Sequence, residues 1–172
     1  MLTALALLAT DPFASWPTSR EAKPIEGETI ISNVRQLTFG GDNAEAYLNK
    51  SGTKLTWQTR QPAFADEQIA TMNIDGSGKR VMSTGLGRTT CSYFSPDNKW
   101  LYYSSTHDVD PGPQAPVDMS KGYVWMVNPN FKMYKVRPSG KGLRKVVDKP
   151  GAYVAETTIA PNGKFMVWGS DF

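Results

Sequence analysis

The sequence is poor in the residue types from which reactive sites are most often built. Its 172 residues include one cysteine, Cys91, and one histidine, His107. A single cysteine excludes an internal disulfide, and the chain has no cluster of cysteines and histidines with zinc-binding spacing. No Gly-x-Ser-x-Gly segment is present, so nothing supports a hydrolase built around that turn. We therefore expect no metal, no cofactor and no enzymatic activity.

Long apolar runs and a strong charge of either sign are also missing. The apolar stretch at residues 1–9 is about half of the ~20 residues that a bilayer-spanning helix needs, and Asp11-Pro12 follows it. It fits a degraded signal, the end of a longer leader or an apolar anchor, and these alternatives stay open. The net charge of +3 does not imply a nucleic-acid partner. Membrane contact is expected to be peripheral at most, through residues 1–16.

What the sequence does contain is a repeated strand–turn–strand unit. The clearest copy is Cys91–Ser105, in which the turn Ser95-Pro-Asp-Asn98 separates two aromatic, β-favouring segments. Two further copies cover residues 45–59 and 156–170. Four short strands in each repeat of about 40–45 residues are typical of a β-propeller blade.

The fold class predicted from this pattern is all-β. We expect an incomplete, open β-propeller of about two and a half four-stranded antiparallel blades, with an extended N-terminal arm. The predicted boundaries are 1–33 for the apolar start and the arm, 34–79 for the first blade, 80–142 for the second and 143–172 for a partial third. The first strand of the first blade is predicted at 34–38.

The second blade carries an insertion at 106–132. It begins as a proline-rich loop and continues as an apolar run at 122–127, which we expect to be buried. Loops of this length in a compact repeat are usually functional or interface-forming. The basic run at 132–149 that follows favours a solvated outer-strand face over a phosphate-binding patch.

These repeats resemble the TolB-like propeller repeats of bacterial envelope proteins. The resemblance covers residues 34–172 and rests on Arg35–Thr38, Met72–Ser77, Tyr93–Asp97 and Lys135–Arg144. It implies the propeller fold and a periplasmic location, and it says little about activity. One departure is the turn Ser95–Asn98, where the family usually has Ser-Pro-Asp-Gly. Another is the number of blades, because such propellers are normally closed by about six or more.

Equivalent positions of the three repeats supply the candidate site. Glu45, Cys91 and Glu156 lie on the strand expected nearest the propeller axis, where side chains line the central channel of a closed ring. A nucleophilic pair of Cys91 with His107 is the enzymatic alternative. We favour a structural role for Cys91, since the other repeats carry glutamate at its position, and a loop-ordering role for His107.

Open blades leave sheet faces and strand edges that need a cover. We therefore predict a non-enzymatic protein-binding or scaffold subunit, periplasmic and peripheral to the membrane. It would dock on other subunits of a larger membrane protein complex and help its assembly or stability. Candidate partner-binding residues are Phe13 and Trp16 in the arm and Tyr123 and Trp125 in the insertion. The alternative is an N-terminal fragment of a larger closed TolB-like propeller protein, with or without a hydrolase domain beyond Phe172.

Overall fold

The computed structural model describes residues 11–172, which form twelve β-strands joined by turns and loops. Within this range there is no helix, and so none that could carry the chain across a membrane. The apolar start predicted at residues 1–9 lies outside the described residues. The strands form two four-stranded antiparallel sheets, one two-stranded sheet and one two-stranded ribbon.

The two larger sheets are meanders in which each strand pairs with its neighbour in the sequence. The first sheet contains β3 (Asp42–Leu48), β4 (Lys54–Arg60), β5 (Gln68–Asn73) and β6 (Arg80–Val81). The second contains β7 (Thr89–Phe94), β8 (Leu101–Ser105), β9 (Lys132–Val136) and β10 (Arg144–Val147). The third has β11 (Ala155–Ile159) and β12 (Met166–Gly169). The predicted all-β fold of open, blade-like sheets is confirmed.

The assignment of strands to the first blade needs a correction. The segment predicted as its first strand contributes β2 (Arg35–Gln36), which pairs with β1 (Arg20–Glu21) in a separate ribbon. The first sheet instead ends with β6, where Val81 pairs with Ala70, so this sheet runs from 42 to 81. A repeat fixes the period of the strands but not which four consecutive strands share a sheet, and only the pairing decides that.

Among the described residues, two apolar clusters pack the sheets against one another. Between the first and second sheets, Ile69 and Met82 pack against aromatic and aliphatic side chains of β7, β8 and β9. Between the second and third sheets, Phe131 packs with Tyr153 and Ala155. The innermost strand of the second sheet, β7, lies between the first sheet and β11. The sheets are therefore stacked in chain order, as blades of a propeller are.

The N-terminal arm covers the outer face of the first sheet. Phe13 is 4% exposed and belongs to the cluster of Trp57, Ala70 and Met72, and its ring centroid lies 5.5 Å from that of Trp57. The Lys79 ammonium donates hydrogen bonds to the carbonyls of Pro17 and Thr18, at 3.1 and 2.8 Å. The arm thus covers β4, β5 and β6 at this end of the stack, whereas every residue of β3 is exposed.

The insertion is tied to both large sheets at its base and exposed at its tip. The backbone N–H of Gln114 donates to buried Asp66 at 2.7 Å, and Asp66 also accepts from Arg88 at 3.0 Å. The apolar run at 122–127, predicted to be buried, forms no strand, and Tyr123 is 81% exposed. That prediction is wrong, because β8 pairs directly with β9 and leaves the insertion outside the sheet.

Candidate functional site

The three residues predicted to line a channel occupy equivalent irregularities of the backbone. In β3, β7 and β11 the register shifts between Ala44 and Tyr47, between Thr90 and Tyr93, and between Ala155 and Thr158. Glu45, Cys91 and Glu156 lie within these β-bulges, with φ angles of 51°, 41° and 59°. A bulge bends the strand and re-aims a side chain, so each innermost strand is shaped in the same way.

These bulges bring the three side chains to one place. Glu45, Cys91 and Glu156 line a single cavity of about 360 Å³, together with Tyr47, Ser92, Tyr93, Thr157 and Thr158. The structure thus places these three residues in one cavity. Their role as the lining of a closed channel remains a prediction, because the sheets form an open stack.

The cavity is polar and carries two carboxylates. The hydroxyl of Tyr47 donates to the Glu45 carboxylate, and this hydrogen bond is the main cause that raises the pKa of Tyr47 to about 12. Burial raises the pKa of the Cys91 thiol to about 11, and the charges of Glu45 and Glu156 act in the same direction. At neutral pH the cavity thus presents a protonated thiol rather than a thiolate nucleophile.

His107 lies in different surroundings from Cys91. Its Nδ1 is 2.9 Å from Ser105 Oγ, and its ring centroid is 4.4 Å from that of Tyr134. Burial is the main cause that lowers the pKa of His107. Its contacts are with residues of β8 and β9, whereas Cys91 faces the cavity between β3, β7 and β11. The structure does not bring this pair together as a nucleophile and base.

The four residues predicted to bind a partner differ in their burial and contacts. Phe13 is buried against Trp57, which corrects its predicted role, because a side chain in the core of its own sheet is not available to a partner. Trp16 packs between Phe13 and Phe39, with ring centroids 5.0 and 6.0 Å away. Trp125 donates its indole N–H to the Tyr153 hydroxyl at 3.0 Å. Tyr123 is the one of the four that offers a largely free surface.

Sequence reasoning did not single out β12 as a surface. This strand pairs with β11 on one side and has no strand on the other. Beside it, Phe165, Val167 and Phe172 are 70%, 63% and 76% exposed. The sequence did carry a signal, since Phe165 and Val167 are large apolar residues two positions apart, which is the spacing of one face of a strand. Among residues 11–172, no three or more His, Cys, Asp and Glu side chains are grouped to hold a metal ion.

Comparison with known proteins finds the same fold in solved structures. No protein-family model matches the chain, and no curated protein does. A solved structure from Agrobacterium tumefaciens described as a TolB matches with a TM-score of 0.57 and 19% identity, covering 78% of this chain and 40% of that one. TolB from Acinetobacter baumannii matches with a TM-score of 0.58 and 15% identity, covering 81% of this chain and 30% of that one.

The chain therefore spans well under half the length of these TolB structures. At such identities the likeness concerns the fold. The strand order, the repeated bulges and the stacked sheets all agree with it. Residues 11–172 have the TolB-like β-propeller fold, in an open form with two complete blades and the inner half of a third.

Proposed function

We propose that this chain is a non-enzymatic protein-binding subunit. It docks from the periplasmic side on a larger membrane protein complex and supports the assembly or stability of that complex. The observation that carries the proposal is the difference between the two ends of the stack. The arm covers β4, β5 and β6 of the first sheet, whereas β12 at the other end has a free edge flanked by exposed apolar side chains.

A free strand edge is a binding element in its own right. It offers unpaired backbone N–H and C=O groups in a row, which another strand can satisfy by extending the sheet. Phe165 and Val167 supply apolar contacts for such a strand. Neither bulge nor proline interrupts β12, and no charged side chain lies within Met166–Gly169, so these three devices do not protect its free edge.

Two further observations support the non-enzymatic part of the proposal. The raised pKa of Cys91 and its separation from His107 argue against thiol catalysis. The periplasmic part rests on the resemblance of the repeats to bacterial envelope proteins. Protection of the chain from externally added protease in whole cells, and its loss after the outer membrane is permeabilised, would be the expected result.

The docking proposal is tested by charging the free edge. In Phe165→Glu/Val167→Glu, docking of an apolar strand would bury two unpaired carboxylates. We therefore expect this variant to be absent from the large native particle that mild detergent extracts. A matched control is Ile30→Glu/Ile31→Glu, which charges side chains that are 91% and 62% exposed in the arm and is expected to remain in the particle. A wild-type species near 19.0 kDa would contradict the proposal.

A second candidate function follows from the coverage of the known structures. The chain spans 40% and 30% of the two TolB chains, which favours a portion of a larger propeller protein whose remaining blades complete the third sheet. Denaturing electrophoresis of source cells with an antibody against this chain separates the candidates. A band clearly above 19.0 kDa would support the larger protein, and a band at that mass would support the separate subunit.

A further inference from the structure

A group of cations surrounds one indole on the second sheet. The Lys135 ammonium lies 4.5 Å from the Trp100 ring centroid, and the guanidinium carbons of Arg137 and Arg144 lie 4.6 and 5.7 Å from it. We call Lys135, Arg137 and Arg144 the cation cluster. Cation–π attraction to the indole partly offsets their mutual repulsion.

The cation cluster has no carboxylate partner within the described residues. Every Asp and Glu of the chain lies in residues 11–172, and none of the six ion pairs formed there involves Lys135, Arg137 or Arg144. Lys135 and Arg144 are also directly opposite each other in the β9–β10 ladder. Like charges in that arrangement are destabilising, so an anion at this place would relieve a cost that the chain carries.

The cation cluster lies beside the bare part of the inter-blade face. Trp100 and Tyr102 line a groove of about 450 Å³ together with Ile159 of the third sheet and with Asp97, whose carboxylate pairs with Lys99. Alternate residues of a strand share a face, and Tyr102 pairs with Lys135, so Lys135 is on the face turned to the third sheet. Because that sheet has the strands β11 and β12 alone in this structure, the outer half of the face is uncovered.

The junction between the first two sheets is complete, and it shows what covers the outer half of the inter-blade face there. Arg80 pairs with Thr71 in β5–β6, as Arg144 pairs with Lys135 in β9–β10. The guanidinium of Arg80 reaches the next blade and donates hydrogen bonds to the carbonyls of Ser139 and Pro138, at 3.1 and 3.4 Å. These oxygens belong to the turn between β9 and β10. In the junction that is complete, the outer cation is therefore bound by the outer hairpin of the following blade.

We propose that the cation cluster is the docking site for the outer hairpin of the completed third blade. This hairpin is a two-stranded segment that pairs with β12 and brings at least one carboxylate to Trp100. The inference rests on the proposed function, since it takes the free edge of β12 as a protein-binding edge. Turn carbonyls are enough for the one guanidinium of Arg80. Arg137 and Arg144 are exposed to water here, and a hairpin that covers the three clustered cations removes that water, which favours a carboxylate as their partner.

The test uses the native particle and two cross-linking chemistries. A photo-reactive p-benzoylphenylalanine in place of Val167 maps the protein segment that lies on the free edge. In parallel, a water-soluble carbodiimide couples an amine to a carboxylate in direct contact without a spacer. We expect the Lys135 amine to couple to an Asp or Glu of the same segment that position 167 labels, with both cross-linked peptides identified by mass spectrometry.

The control for the coupling is Lys135→Arg, which keeps the charge and the docking but removes the reactive amine, so that this cross-link is lost while labelling from position 167 persists. Coupling of Lys135 to a carboxylate of its own chain, or to none, with labelling at 167 intact, overturns the inference and leaves the proposed function standing. Failure of position 167 to label any protein overturns both.

Discussion

The bulged residues Glu45, Cys91 and Glu156 adopt a backbone conformation that suits glycine. A non-glycine residue in the left-handed region costs about 1–2 kcal/mol, and here the cost recurs in all three sheets. Glycine would avoid it, yet each position keeps a side chain, and all three side chains face one cavity. Strain that persists at equivalent non-glycine positions is often associated with function, and it makes this cavity the part of the molecule where a ligand search should begin.

The thiol of Cys91 is predicted to alkylate slowly at neutral pH. Burial raises its pKa to about 11, and the thiolate is the reactive form. The iodoacetamide rate should therefore rise about tenfold for each pH unit between 7 and 10, with no plateau in that range. The measurement is the loss of free thiol by mass spectrometry. A rate that levels off near pH 7 would contradict the structure and reopen the hydrolase interpretation.

Removing the two carboxylates gives a matched comparison for this titration. In Glu45→Gln/Glu156→Gln the negative charges that also raise the thiol pKa are gone, so alkylation at pH 8 should be faster than in the wild-type chain. Ser51→Ala, in an exposed turn outside the cavity, should alkylate at the wild-type rate.

The cavity residues could be grouped from the sequence, whereas their geometry could not. Their grouping follows from the repeat, because equivalent positions of stacked blades fall at equivalent radii. The left-handed φ could not be predicted from the residue types, since Glu and Cys seldom adopt it and Gly or Asn is the usual residue at such a position. The cation cluster was visible only as a basic run, because Trp100 lies far from Lys135 and Arg144 in the sequence.

At the scale of elements, the arm is predicted to contribute a large part of the stability of the first sheet. Phe13→Ala removes a buried ring that packs on Trp57, and truncations of this kind cost about 3–5 kcal/mol. Urea denaturation of the variant should show the corresponding fall in the midpoint. Ile25→Ala, at a side chain 76% exposed, should leave the midpoint unchanged. A negligible effect of Phe13→Ala would mean that the arm does not hold this position in solution.

The base of the insertion depends on the buried carboxylate of Asp66. Asp66→Asn weakens the pair with Arg88 while Glu67 still contacts the guanidinium at 2.9 Å, so we expect a loss of about 2–3 kcal/mol, below the full cost of breaking a buried pair. Limited proteolysis should cut the variant within 106–132 faster than the wild-type chain. Asp118→Asn, at an exposed carboxylate of the same loop, is the control and should be cut at the wild-type rate.

Sequence reasoning was more reliable for strands than for the segments between them. The repeated strand–turn–strand unit identified the two inner strands of both complete sheets. The run at 122–127 has the same composition but remains outside the sheet, because β9 already occupies the edge of β8. Composition reports the tendency to form a strand, whereas the available pairing edge decides whether one forms.

At the scale of the whole molecule, stability should decrease along the stack. In the first sheet, β4, β5 and β6 lie between the arm and the second sheet, and the second sheet lies between two neighbours. The third sheet packs on one neighbour and ends in a free edge. Elements with fewer buried contacts open at lower free energy than the core.

Native-state hydrogen exchange on the 172-residue chain measures this gradient directly. Hydrogen-bonded amides of β11 and β12 should exchange at least tenfold faster than those of β4 and β8, a difference of about 1.4 kcal/mol in opening free energy. In the native particle a partner strand on β12 should remove most of that difference, because the outward-facing amides of Met166–Gly169 would then be paired. Equal protection of β8 and β12 in the free chain would instead mean that the third sheet is already covered, and the free edge would lose its role as the docking surface.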